Sequence, residues 1–400
     1  MKSTKAETRK RTKEKFFIAT EDEIRSGRVT DVYFNRTQQI LEAKGIDKQV
    51  KMEIWLKSFP DQDQTWGVLA GLEEGVRLLE GQPLDLWTLP EGTLFRAREP
   101  VMMITSCYRD FSVLETALLG FLCQASGIAT KAARFKIAAH GRAIYSFGVR
   151  RLHPAIAPMI DRNAFIGGCD GVSSVLGAEL LGEPPVGTIP HALVLILGDS
   201  SSTTAIFDEV IDKQIKRVAL VDTFGDEKFE ALENAKLLGD RLYAVRLDTP
   251  SSRRGSMLAI AQEVRWELDT RGYDHVKIFV SGGLNEYNIP ELNSVADAYG
   301  VGTSISNARV MDFSLDIVEI EGEPIAKRGK PSGAKQLYIC EGCGHRKVVL
   351  WDEVPDTCPE CDGPVTPALV KFLENGKLIR DLPSAQEIRR LVLDHLPETL

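Results

Sequence analysis

Between residues 216 and 306 the chain alternates short apolar or β-branched runs with helical windows. The runs are RVALVDTF, RLYAVRLDT, VKIFVSGGL and the stretch ending ADAYGVGTSI, and EKFEALENAKLLG and GSMLAIAQEVRWELDTRG separate the first three. Strands that are apolar throughout fit burial on both faces, and crossovers of helical length fit parallel neighbours. The alternation predicts a parallel sheet covered by helices, as a doubly wound sheet or an α/β barrel.

Each run ends in residues suited to chemistry: Asp222, then Arg246 with Asp248, then Gly282 and Gly283, then Gly300 and Gly302. In α/β barrels the loops after successive strands converge on one site, so four such endings in a row point to a shared one. The turns SGGL and GVGTSIS let backbone N–H groups approach an anion, which suggests phosphate. Neither turn matches a nucleotide-binding signature, and tight turns alone would use the same glycines.

The chain has 400 residues, 43% of them hydrophobic, enough for two or three domains around substantial cores. Residues from about 20 to 105 mix a helical pattern (TDVYFNRTQQILEAKG) with strand-like pieces (KMEIWLKSF, GTLFRAREPVMMI), which predicts a small α+β domain. A long helix follows, its start marked by Ser112 and Glu115 at capping-box spacing, with Gly120 and Gly127 explained by close packing. Apolar runs such as ALVLIL are too short to span a membrane, and none is expected to do so. The opening MKSTKAETRKRTKEK lacks the apolar core of a secretory signal and reads as a solvated basic tail. A net charge of -8 argues against a general nucleic-acid coat.

Four of the seven cysteines form two CxxC pairs in CEGCGHRKVVLWDEVPDTCPECDG: Cys340, Cys343, Cys358 and Cys361. This is zinc-ribbon spacing. Four thiolates close the coordination shell, so the zinc should be structural, with His345 surplus. Cys107, Cys123 and Cys169 read as reduced thiols in a cytoplasmic protein.

The stretch AIYSFGVRRLHP sets two arginines beside aromatics in an acidic chain. Together with TDVYFNRT, LETALLGFLCQASGIATKAAR, FIGGCDGVSS, GTIPHALVLILGD, LVDTFGD, VRLDTPS, VSGGLN and YGVGTSIS, in that expected order over residues 25 to 340, it resembles the nicotinate phosphoribosyltransferase family. The zinc-binding insert departs from the commonest form of the family and is closer to its archaeal-type members.

The resemblance implies an irregular α/β barrel of the type II phosphoribosyltransferase kind, with an N-terminal α+β domain and a C-terminal zinc ribbon. The expected divisions are a tail over 1–18, the N-terminal domain over 19–110 and the barrel over 111–320. A return segment over 321–335 and 367–400 is expected to pack on the N-terminal domain, and the ribbon to span 336–366. The implied enzyme is a homodimer with shared active sites. It joins nicotinic acid to phosphoribosyl pyrophosphate with Mg2+, giving nicotinate mononucleotide, with ATP hydrolysis coupled.

The resemblance also implies roles. Phe147 and a second subunit's Tyr33 would sandwich the pyridine ring, and Arg150 would hold its carboxylate. Arg151 would extend that clamp or bind phosphate. Asp222, Arg246 and Asp248 fall near the ribose and the ring, while Gly282, Gly283, Gly300, Gly302 and Thr303 match a 5′-phosphate cradle. His191, in TIPHAL, matches a histidine transiently phosphorylated by ATP. Asp170 matches a position that in nicotinamide-using relatives accepts from an amide, and facing nicotinate it would be repulsive unless protonated, bridged or turned away. His153 is a weaker candidate, close to the arginine pair. Nicotinamide- or quinolinate-using enzymes of the same fold, and a non-catalytic zinc-ribbon binding protein, are the competing readings.

Overall fold

Six parallel strands carry the second unit of the chain: β1 (Ala143–Ser146), β2 (Gly171–Val172), β3 (Arg217–Leu220), β4 (Leu242–Leu247), β5 (Lys277–Ser281) and β6 (Ala298–Val301). The structure is a computed structural model that describes residues 16–253 and 255–400. The first fifteen residues of the expected basic tail lie outside the described residues. The strands are ordered β2-β1-β6-β5-β4-β3, and every neighbouring pair is parallel. β2 and β3 remain edges, so the expected barrel is an open half-barrel. Ile144, Val245, Ile278, Val280 and Tyr299 are buried against Ala231, Ala235, Val264 and Leu268 of the covering helices. This burial on both faces is why the strands read as continuous apolar runs.

The other sheet has seven antiparallel strands, with Phe313–Ile320, Gln49–Leu56, Pro100–Cys107, Leu84–Thr88 and Val370–Glu374 as its inner five. Residues 313–320, assigned to the barrel by the sequence reading, therefore belong to the N-terminal unit. Their pairing is long-range, for example Ile54 with Leu315, and nothing local announces it. The closing helix Ala385–His395 sits at the seam between the units. Its buried Ile388 and Val392 pack with Trp66 and Val68 on one side and Phe165 and Val172 on the other.

A helical stretch from Tyr108 to Ala138 forms the spine between the sheets. Ser112 does not cap it. The chain enters through the short helix Tyr108–Phe111 and a 3-10 turn at Ser112–Leu114, which buries the Ser112 hydroxyl without a hydrogen-bond partner among the described residues. A Cβ at Gly127 would lie 2.3 Å from the Arg309 carbonyl oxygen, so close packing does explain that glycine. Gly120 faces open space, and packing does not explain it. By length and mean hydropathy this stretch could cross a membrane, unlike the shorter runs considered from sequence. Here it is core: the Thr130 and Ser126 hydroxyls accept from the Val68 and Ala70 amides at 2.8 and 3.0 Å.

Burial pushes the Glu115 carboxyl, at the start of the long helix, up to about 7, with the nearby Asp316 charge adding to the shift. The folded state thus holds this proton more tightly than the unfolded chain does. The resulting stabilisation is full below the ordinary 4.5 and is lost as pH rises through about 7. Glu115→Gln should therefore stabilise the protein by roughly 1–2 kcal/mol at pH 8, after allowance for partial solvent screening, and change little at pH 4.5. Parallel thermal melts at the two pH values check this, and an equal gain at both would contradict it.

Strands Lys335–Cys340, Arg346–Leu350 and Val365–Pro367 form a separate three-stranded sheet. It is docked firmly on the N-terminal unit. Leu337 enters that unit's core, Trp351 meets Trp87 edge-on at 5.5 Å, and the Arg346 guanidinium grips both Glu99 oxygens at 2.7 Å.

Candidate active site

The pairing register fixes which side chains meet. Leu220 is level with Arg246, Leu247 with Val280, Ser281 with Gly300, and Val301 with Ser146. The residues after β1, β3, β4, β5 and β6 therefore emerge along one carboxyl edge, where loops from several strands can build one site.

Asp222 lies immediately beyond β3 and is 1% exposed. Its Oδ2 accepts from the Asp248 amide at 2.7 Å and from the Thr249 hydroxyl at 3.1 Å. Its Oδ1 is buried with no hydrogen-bond partner among the described residues. Burial raises the Asp222 carboxyl above the usual carboxylate range, against the opposing Asp248 amide and the His191 charge. Asp248 accepts from Arg246 Nη2 at 2.9 Å and from Ser281 Oγ at 2.8 Å. The same Arg246 donates to Ser281 and Thr188 at 2.9 and 2.8 Å, and its guanidinium lies 5.6 Å from the Phe147 ring centroid.

His191 opens the helix His191–Leu197. Its Nδ1 pairs with Thr223 Oγ1 at 3.0 Å, while Nε2 stands 3.5 Å from Asp248 and 3.8 Å from Asp222. The sequence-predicted His191, Asp222, Arg246 and Asp248 thus form one cluster. Thr188, Thr223, Thr249 and Ser281 join it. Sequence reasoning missed these four because a hydroxyl at a strand end, or in a loop as for Thr188, looks like turn chemistry; their adjacency to the matched motifs was the available signal.

Phe147 follows β1, its amide donating to the Val301 carbonyl at 2.8 Å. Its ring stacks near Tyr145 and Phe279, at 6.5 and 5.8 Å between centroids. Gly300 makes this possible, since a Cβ there would lie 2.6 Å from the Phe147 ring. Gly282 takes a φ of 88° and carries the backbone past Asp248, while Gly283 and Thr303 are exposed on adjacent loops at the same edge. Gly302 precedes Thr303 there. Arg150 and Arg151 occupy the exposed 3-10 turn Val149–Arg151, and no carboxylate among the described residues holds either guanidinium.

Three candidates stand elsewhere. Asp170 lies at the amino end of β2, where it pairs with Lys136 at 2.7 Å and Arg389 at 2.8 Å and accepts from the Ile144 amide at 2.9 Å. Through Arg389 it fastens the last helix, and both of its carboxylate oxygens already meet a cation. Tyr33, 55% exposed, is on the helix Val32–Lys44 beside Tyr108 and Glu115 and makes no ring contact with Phe147. His153 accepts from the Ala155 amide at 3.2 Å and caps a turn.

The four cysteines of the two CxxC pairs converge separately from this edge. Their sulfurs all lie within 4.8 Å of one another, with Cys340–Cys361 at 3.5 Å and Cys343–Cys358 at 3.6 Å. Such a cluster can hold a metal ion.

The chain is similar to known proteins over most of its length. Residues 31–126 match the N-terminal domain model of quinolinate phosphoribosyl transferase, and 128–316 match its C-terminal domain model. A nicotinate phosphoribosyltransferase of Mycobacterium tuberculosis is 31% identical over 369 residues, covering 86% of this chain and 77% of the relative. The chain belongs to the nicotinate phosphoribosyltransferase family. The Bacillus subtilis member of that family is 28% identical, covering 70% of this chain and 63% of its own. Among solved structures, a nicotinate-nucleotide pyrophosphorylase from Pyrococcus furiosus superposes with a TM-score of 0.93 at 57% identity, covering 95% of this chain and 97% of that one. Human nicotinic acid phosphoribosyltransferase shares the fold, with a TM-score of 0.74 at 22% identity and coverage of 93% and 94%.

Proposed function

We propose that this family member transfers phosphoribosyl from phosphoribosyl pyrophosphate to nicotinic acid, forming nicotinate mononucleotide and pyrophosphate in the cytoplasm. The observation that carries the reading is the cluster of Asp222, Arg246 and Asp248 beside Phe147 at one sheet edge. In the transfer, the pyridine nitrogen forms a bond to C1 as the C1–oxygen bond to pyrophosphate breaks. Positive charge develops at C1, where Asp222 and Asp248 stabilise it and need not act as nucleophiles. Phe147 stacks on the flat ring, and Tyr33 from a second copy closes the sandwich, in keeping with its exposure on the N-terminal unit. Arg150 pairs with the nicotinate carboxylate, and the loops at Gly282–Gly283 and Gly302–Thr303 take the 5′-phosphate. An assay with both substrates should yield nucleotide and pyrophosphate in equal amounts; absence of both would overturn the reading.

Mg2+ fits this donor set. The unpartnered Oδ1 of Asp222 and the Asp248 carboxylate are the oxygen ligands at hand. When bound, the ion neutralises charge on the pyrophosphate. Zinc fits the four cysteines, because three of their sulfur pairs stand at 3.4 to 3.6 Å, close to the edge of a tetrahedron with bonds of about 2.3 Å, and all four sulfurs lie within 4.8 Å of one another. All four positions are then filled by thiolates, and its role is structural.

ATP coupling runs through His191. The terminal phosphoryl of ATP moves to a ring nitrogen, releasing ADP, and later hydrolysis releases phosphate. Negative charge placed there adds to Asp222 and Asp248 and strengthens the hold on a metal–pyrophosphate complex. His191→Ala should abolish ATP stimulation of product formation and leave basal transfer measurable. Undiminished stimulation would remove this role.

A further inference from the structure

The loop after β5 is held by more charge than a turn needs. Asn285 Oδ1 accepts from the Tyr287 and Asn288 amides at 2.9 and 3.0 Å, and Asn288 Oδ1 accepts from the Asn285 amide at 2.8 Å. This closed turn sends Glu286 inward, 2% exposed, and Tyr287 outward. Glu286 Oε1 receives Lys131 Nζ at 2.6 Å and Arg134 Nε at 3.3 Å, both from the long helix. Arg134 is itself 2% exposed. Its Nη2 reaches the Asp63 carboxylate at 2.7 Å and the Tyr287 hydroxyl at 3.2 Å, and that hydroxyl donates to Asp63 at 2.9 Å.

The network extends in both directions. Asp61, on the same N-terminal loop as Asp63, pairs with Arg309 at 3.1 Å and approaches Lys131 at 3.8 Å. On the other side, Ser304 Oγ donates to the Leu284 carbonyl at 2.7 Å, tying the turn after Gly302 to the one after Gly282. One chain of contacts therefore runs from the N-terminal loop through the spine helix to both glycine loops at the carboxyl edge.

We propose that Arg134 and Glu286 are positioning residues for the phosphate-facing loops, touching no reacting atom and setting where the Gly282–Gly283 backbone stands. The inference rests on the transferase reading above. Apolar packing of similar volume would serve stability as well as a buried ion pair does. What the ions add is direction: Glu286 fixes the loop to one helix, and Tyr287 fixes it to the N-terminal unit. A 5′-phosphate is held alike in the ground and transition states, so loosening its cradle removes uniform binding and raises KM without lowering kcat.

The test is steady-state kinetics of the full-length protein with phosphoribosyl pyrophosphate as the varied substrate. Glu286→Gln should raise KM for phosphoribosyl pyrophosphate on the order of 10-fold, with kcat and KM for nicotinate within about twofold. Tyr287→Phe removes only an exposed hydroxyl and should raise the same KM about threefold. Should Glu286→Gln fail to fold, Tyr287→Phe decides alone. A purely structural role predicts less folded protein and unchanged KM, and an unchanged KM in Tyr287→Phe overturns the inference. Wild type assayed alongside separates the two claims. A wild type that forms no nucleotide overturns the transferase reading and this inference with it; normal wild-type turnover beside variants of unchanged KM overturns the inference alone.

Discussion

Asp222→Asn is expected to lower kcat by roughly 10²- to 10³-fold while leaving the fold intact. The substitution keeps the size of the side chain and an oxygen to accept from the Asp248 amide and the Thr249 hydroxyl, 2.7 and 3.1 Å from the present Oδ2. What it removes is the negative charge that the proposed mechanism sets beside a developing cation at C1. The pH dependence follows from the same burial. In the enzyme before Mg2+ binds, the raised Asp222 carboxyl takes up a proton above the usual carboxylate range and that proton competes with the ion, so kcat/KM of the wild type should fall on the acid side from a pH higher than an exposed aspartate would give. Asp222→Asn should abolish that acid limb. A variant with wild-type kcat, or one that keeps the limb, would show that Asp222 serves only to hold the β4 loop.

The second large effect concerns the ribbon. Chelation after denaturation should release about one zinc per chain, and Cys358→Ser should destabilise the ribbon by several kcal/mol. Cys358 is fully buried, its partner sulfur on Cys343 is 3.6 Å away, and among the described residues the metal-binding group consists of the four cysteines alone. Because Leu337, Trp351 and the Arg346–Glu99 pair join the ribbon to the N-terminal unit, the loss should reach the global transition and lower Tm by about 5–10 °C. Metal analysis finding no zinc in protein purified without chelator, with all four thiols titrating freely, would refute the assignment.

The parallel strands were legible because burial on both faces leaves an unbroken apolar run, and a run of this type survives reading without any partner in view. Residues 313–320 were not, since their alternation became meaningful only against Gln49–Leu56, more than 250 residues earlier. The Ser112–Glu115 spacing misled for a local reason: a capping box is a capping box only where a helix begins, and here one helical turn already precedes it. At the site, Asp222, Arg246 and Asp248 announced themselves at strand ends, while His191, at the start of a helix, was singled out only by the TIPHAL motif of the family resemblance. Ser281 and Thr188, which orient Arg246, did not, because a hydroxyl acquires its role only from what lies within 3 Å of it. The surroundings of Asp170 were hidden for the converse reason. Its motif was read correctly as a motif, but Lys136 and Arg389 reach it from elements 34 and 219 residues away and use up its charge.

Acid recognition is the central claim of the proposed function: among the described residues no carboxylate holds Arg150 or Arg151, which follow Phe147 closely in the chain, and Asp170 pairs with Lys136 and Arg389. The most direct measurement offers nicotinate, nicotinamide and quinolinate in parallel with phosphoribosyl pyrophosphate and Mg2+, and follows nucleotide formation. Product from nicotinate, exceeding that from either other base by at least about 10²-fold in kcat/KM, is the predicted result. Product from nicotinamide or quinolinate alone, or from none of the three, would contradict the account.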